Sequence, residues 1–185
     1  MSARLRVLLV DDHALFRSGV RALLARQPDI EVVGEAADGL DGIRQARQCK
    51  PDIVLLDLHM PGLGGREVVK TLAAELPETR VLMLTVSEHA DDLLETLQAG
   101  AAGYLLKNID TEFFVGAIRR AAAGDSVVSP EMTGKLVAGL KRGAAPPPPE
   151  KDLLSARERE VLAALARGAS NKDLARELDL AESTV

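Results

Sequence analysis

The chain of 185 residues is poor in aromatics: it has no tryptophan, one tyrosine and three phenylalanines. A core must therefore be built from Leu, Val, Ile and Ala. Apolar residues make up 46% of the sequence, enough for one sizeable domain and a smaller second one. Cys49 is the only cysteine, which excludes an intrachain disulfide and fits a reducing, cytoplasmic setting. A single thiol in a helical stretch reads as inert. No apolar run approaches bilayer length, so no membrane partner is expected. Met1-Ser2-Ala3-Arg4 leads straight into a short apolar strand and does not read as a secretory signal. A strong excess of positive charge is also missing. The net charge is −5, and residues 151–185 carry six basic against seven acidic side chains. Nonspecific nucleic-acid binding by the whole chain is thereby disfavoured.

What is present is an alternation. Five short apolar runs, Leu5–Val10, Ile30–Ala36, Ile53–Asp57, Arg80–Thr85 and Gly103–Leu106, read as strands, and each is followed by a helical pattern. Leu15, Phe16, Gly19, Val20, Leu23 and Leu24 share one helical face; Leu93, Leu94, Leu97 and Ala101 share another. This order predicts an α/β domain, a doubly wound five-stranded parallel sheet over residues 1–124, with its functional crevice at the carboxyl ends of the strands. Ile53-Val54-Leu55-Leu56 suits a central strand buried on both faces.

Residues 125–152 read as a linker. It holds one helix, roughly Pro130–Lys141 with Ser129 as N-cap, then Gly143, Ala144, Ala145 and four prolines that favour an extended spacer. Residues 153–185 read as a small all-α unit. Ser155-Ala156-Arg157-Glu158 forms a capping box, Gly168 ends a first helix, and Ser170-Asn171-Lys172-Asp173 opens a second. A third helix starts near Ala181-Glu182-Ser183-Thr184-Val185, which is helix-turn-helix spacing.

The chemistry concentrates at strand ends. Asp11 and Asp12 follow the first strand and Asp57 ends the third, so three carboxylates meet at one rim. They repel unless a cation joins them, and Mg²⁺, hard and oxygen-seeking, meets that need. Thr85 ends the fourth strand and Lys107 follows the fifth, bringing a hydroxyl and an ammonium to the same rim. An acyl phosphate on Asp57 would add about two negative charges for these groups to engage. Taken singly, a strand-end Thr or a Lys is unremarked; in this order they form a specific set.

The segments LLVDDH, DIVLLDLHMPGLGG, VLMLTVS and GAAGYLLKN resemble the receiver domain of two-component response regulators. LSAREREVL and GASNKDLARELDLAESTV resemble the LuxR-type helix-turn-helix of the NarL/FixJ subfamily. The resemblance implies a flavodoxin-like receiver with Asp57 as phosphoacceptor, taking the phosphoryl group from a sensor histidine kinase. It implies Mg²⁺ held by Asp12, Asp57 and the backbone carbonyl of His59, with Asp11 acting through water. Lys107 would pair with the phosphoryl group, Thr85 would hydrogen-bond it, and the Tyr104 ring would move with Thr85. Homodimerisation on phosphorylation and promoter binding by the full-length parent are further implications. Since the recognition helix amounts to about one turn, the 185-residue form itself is expected to lack specific DNA affinity.

The sequence departs from the family pattern in two places: Asn108 follows Lys107 where many receivers have Pro, and Ala181 stands where Ser often caps the recognition helix. His13 and His59 flank the acidic cluster but read as bystanders to a carboxylate site that favours Mg²⁺ over zinc. Two rival readings fit the sequence less well. A phosphohydrolase forming an aspartyl phosphate wants a second acid two residues after the nucleophile, and His59 stands there. A phosphorylation-independent regulator would have no need of Asp57, Thr85 and Lys107 together. The reading is thus a regulator, not an enzyme acting on other molecules.

Overall fold

A computed structural model describes residues 4–143. The expected proline spacer and helix-turn-helix lie outside the described residues. The elements run β1 (Leu5–Val10), α1 (Ala14–Leu24), β2 (Ile30–Ala36), α2 (Gly39–Cys49), β3 (Ile53–Leu56) and α3 (Gly65–Glu75). They continue with β4 (Arg80–Thr85), α4 (Ala90–Gln98), β5 (Gly103–Leu106), α5 (Thr111–Ala122), β6 (Val127–Val128) and α6 (Pro130–Gly143). The strands form one sheet in the order β2-β1-β3-β4-β5-β6, and every pairing is parallel.

Alternation along the strands divides the core in two. Leu8, Val10, Val54, Leu56, Val81 and Met83 face one way and pack with residues of α2, α3 and α4. Val7, Leu9, Ile53, Leu55, Leu82 and Leu84 face the other way, towards α1 and α5. All four residues of β3 are buried, as a central strand of a doubly wound sheet requires. Two of the helices between strands, α2 and α5, begin with acidic caps. Asp38 accepts from the Asp41 amide at 2.8 Å and Asp110 from the Phe113 amide at 2.9 Å.

The structure differs from the sequence expectations in the strand count, the Ser129 cap and the place of Leu15. The sheet has six strands, not five: β6 pairs with β5, Gly103 opposite Val127 and Tyr104 opposite Val128. A side chain at Gly103 would collide with the Val127 carbonyl oxygen, so glycine is what lets this short strand dock. The boundary at 124 falls inside a compact unit that runs to Lys141. Met132 of α6 is fully buried and joins the cluster that holds Tyr104 and Leu106, and Lys135 Nζ donates to the Glu88 carbonyl at 2.8 Å. Ser129 therefore does not spend its hydroxyl on the helix start; Oγ accepts from the Leu106 amide at 2.9 Å. Finally, Leu15 is 89% exposed. It lies in the first turn of α1, ahead of the buried Val20 and Leu24.

Candidate functional site: an acidic crevice at the carboxyl edge of the sheet

The ends of β1, β3, β4 and β5 are stitched together by backbone bonds. The Asp57 amide donates to the Val10 carbonyl at 2.9 Å, the Asp11 amide to Ala36 at 3.1 Å, and the Lys107 amide to Thr85 at 2.9 Å. Side chains just beyond these bonds have little room to diverge. Asp11 and Asp57 are both buried, and Lys107 Nζ lies 2.8 Å from an oxygen of each. Burial alone would lower the Lys107 pKa; hydrogen bonds to Asp11 and Asp57 overcome that and hold it above its ordinary value. The ammonium also sits 4.7 Å from the Phe16 ring centre, a cation–π contact.

Asp12 adds the third carboxylate. Its Oδ1 is buried and accepts no aligned hydrogen bond, although the His13 ring nitrogen lies 2.8 Å away. The His13 amide donates to Asp11 Oδ1 at 2.8 Å, and its Nδ1 is 3.7 Å from Asp57 Oδ2. One ligand atom from each of Asp11, Asp12, His13 and Asp57 lies within 4.8 Å of the others. An orphaned buried oxygen, two carboxylates bridged by an ammonium, and a mainly oxygen donor set together suit a hard divalent cation. His13 is thus drawn into the cluster rather than merely flanking it. His59 is exposed, two residues beyond Asp57.

Thr85 is fully buried at the end of β4. Its Oγ1 accepts from the Ser87 amide at 3.1 Å. Tyr104 is also fully buried, and its hydroxyl donates to the Ser87 carbonyl at 2.9 Å. Burial pushes the Tyr104 phenol up to about 12. Ser87 Oγ in turn donates to Asp92 Oδ2 at 2.5 Å, and Arg66 pairs with the other Asp92 oxygen and with Glu95. Sequence reasoning missed Ser87, Asp92 and Arg66. No motif marks them, and a polar residue in a loop or first helical turn ordinarily reads as solvated.

A doubly wound parallel sheet with a buried acidic crevice and bridging lysine at its carboxyl edge defines a receiver domain, the input module of two-component signalling. Comparison with known proteins agrees. Residues 7–119 match the family model described as response regulator receiver domain, and residues 152–185 match that of bacterial regulatory proteins, luxR family. The chain is 42% identical to the nitrate/nitrite response regulator protein NarL of Escherichia coli (strain K12) over 179 residues, covering 97% of this chain and 83% of that one. It is 38% identical to the transcriptional regulatory protein LiaR of Bacillus subtilis (strain 168) over 181 residues, covering 98% and 85%. A LuxR-family two-component response regulator from Aurantimonas sp. SI85-9A1 superposes with a TM-score of 0.71 at 35% identity, covering 75% of this chain and 99% of that structure. The chain belongs to the NarL-like response regulators: a receiver domain joined to a LuxR-type DNA-binding domain, in which phosphorylation controls transcription.

Proposed function

We propose that Asp57 is the phosphoacceptor and that the crevice around it is built to receive one phosphoryl group from a sensor histidine kinase. A carboxylate oxygen of Asp57 forms the new bond to phosphorus as the phosphohistidine P–N bond breaks, and the imidazole leaves with that electron pair. Asp11, Asp12, Asp57 and the backbone carbonyl of His59 are the groups that would hold Mg²⁺, with Asp11 acting through water. Bound there, Mg²⁺ supplies the positive charge that lets three carboxylates and a phosphoryl group coexist. Lys107 meets the phosphoryl oxygens by releasing its grip on Asp11. Thr85 donates its hydroxyl to one of them, and the Tyr104 ring shifts with the Thr85 loop.

On this reading the protein acts on no molecule but itself, works in the cytoplasm, dimerises on phosphorylation and controls transcription through its LuxR-type unit. The observation that supports this reading most is the placement of Lys107 Nζ, 2.8 Å from both Asp11 and Asp57. It is the arrangement of a cation waiting among carboxylates. Incubation with acetyl phosphate and Mg²⁺, followed by intact mass, tests it. One phosphoryl group is expected on the wild type and none on Asp57→Ala. Equal uptake by both would place the acceptor elsewhere.

A further inference from the structure

We infer that Asp92, braced by Arg66, is a positioning residue for phosphoryl transfer: it clamps Ser87 so that the Thr85 hydroxyl proton stays available to a phosphoryl oxygen on Asp57. This rests on Asp57 being the acceptor. A threonine hydroxyl has one proton and two lone pairs. The Ser87 amide occupies a lone pair of Thr85 Oγ1, so that bond leaves the proton uncommitted. Thr85 is fully buried, and the direction of its hydroxyl is set by protein groups. The Ser87 amide reaches Oγ1 only while Ser87 itself is held.

Ser87 is held from three sides. Its amide donates to Thr85, its carbonyl accepts from Tyr104, and its hydroxyl donates to Asp92 at 2.5 Å while also accepting from the His89 amide at 3.3 Å. Asp92 is 8% exposed, and such a carboxylate is placed, not left to wander. Arg66 neutralises one oxygen and leaves the other for Ser87, and the Asp92 carbonyl accepts from Thr96 Oγ1 at 2.7 Å. Burial would raise the Asp92 carboxyl, but hydrogen bonds from Ser87 and Arg66 outweigh it and hold it below the ordinary carboxylate value. Arg66 stands in the first turn of α3, next to Gly65, and a side chain at Gly65 would collide with the Asp57 carbonyl oxygen. The brace therefore spans both sides of Asp57: the start of α3 and the loop after β4.

The alternative is that Asp92 simply favours the first turn of α4, which would give stability and nothing more. A double-mutant cycle separates the two. Asp92→Ala and Asp92→Asn are made in the full chain with Thr85 and in a Thr85→Ala background, and phosphorylation by acetyl phosphate with Mg²⁺ is timed by intact mass. In that step Asp57 forms a bond to phosphorus as the bond to the acetyl oxygen breaks, and acetate leaves with the electron pair. Asp92→Ala is expected to slow uptake about fivefold with Thr85 present, the factor tied to one hydrogen bond, and to change little without it. Asp92→Asn, which still accepts from Ser87, keeps most of the rate. If Asp92→Ala does not fold, Ser87→Ala carries the same cycle. Equal slowing in both backgrounds, or none in either, overturns the inference alone. A wild type that takes up no phosphoryl group overturns the Asp57 reading and the inference with it.

Discussion

The lone tyrosine makes the crevice's hydrogen-bonded loop directly observable. Tyr104 has no solvent exposure, and its phenol is pushed up to about 12, chiefly by burial, with the negative charges of Asp92 and Asp57 adding to the effect. An unfolded tyrosine titrates near 10. The difference corresponds to roughly 3 kcal/mol in favour of the protonated, buried ring. The sign follows from the raised value. Between about pH 10 and 12 the unfolded chain has lost this proton while the folded one keeps it. The folded state therefore holds its full advantage below pH 10 and gives it up as pH rises through about 12. With no tryptophan to overlap, phenolate absorbance reports this one residue. In urea the midpoint should fall near 10. In native buffer the phenolate should appear only near 12, or together with loss of helical circular dichroism if the chain unfolds first. A native midpoint near 10 with the helical signal intact would refute the reasoning, because it would mean that the ring is not buried beneath the Ser87 carbonyl.

Two further outcomes test how the receiver is built. Met132→Ala removes a fully buried side chain from the cluster around Tyr104 and should cost about 2–4 kcal/mol in urea unfolding; a loss below about 0.5 kcal/mol would put α6 outside the folded unit. Gly65→Ala presses a methyl group into the Asp57 carbonyl and the Leu58 backbone, so about 1–3 kcal/mol of stability and most acetyl phosphate uptake should be lost together. Wild-type uptake in a Gly65→Ala protein would show that the start of α3 is free to shift.

Much of the fold was legible because buried parallel strands leave apolar runs with sharp ends. Leu5–Val10, Ile30–Ala36, Arg80–Thr85 and Gly103–Leu106 read from the sequence with the bounds that the structure has. The convergence of Asp11, Asp12, Asp57 and Lys107 was legible for a topological reason: residues just past parallel strands can only emerge at one edge. Val127–Val128 was not legible, since two residues make no periodicity and their partner is defined by an absent side chain at Gly103. Leu15 misled because it keeps i, i+4 and i+8 spacing with Gly19 and Leu23, yet Gly19 beside it is exposed as well. Ser87, Asp92 and Arg66 escaped because their meaning lies in mutual contact across three segments, and their residue types carry no signature alone.

Lys135 grips Glu88 twice, at its carbonyl and at its carboxylate, 2.8 and 3.0 Å away. Glu88 is the immediate neighbour of Ser87, so α6 and the loop after β4 share a handle. A shift of that loop by even an ångström has two outcomes: α6 is dragged along, or the handle is let go. Either one would carry a displacement of the loop after β4 into α6, the last element described.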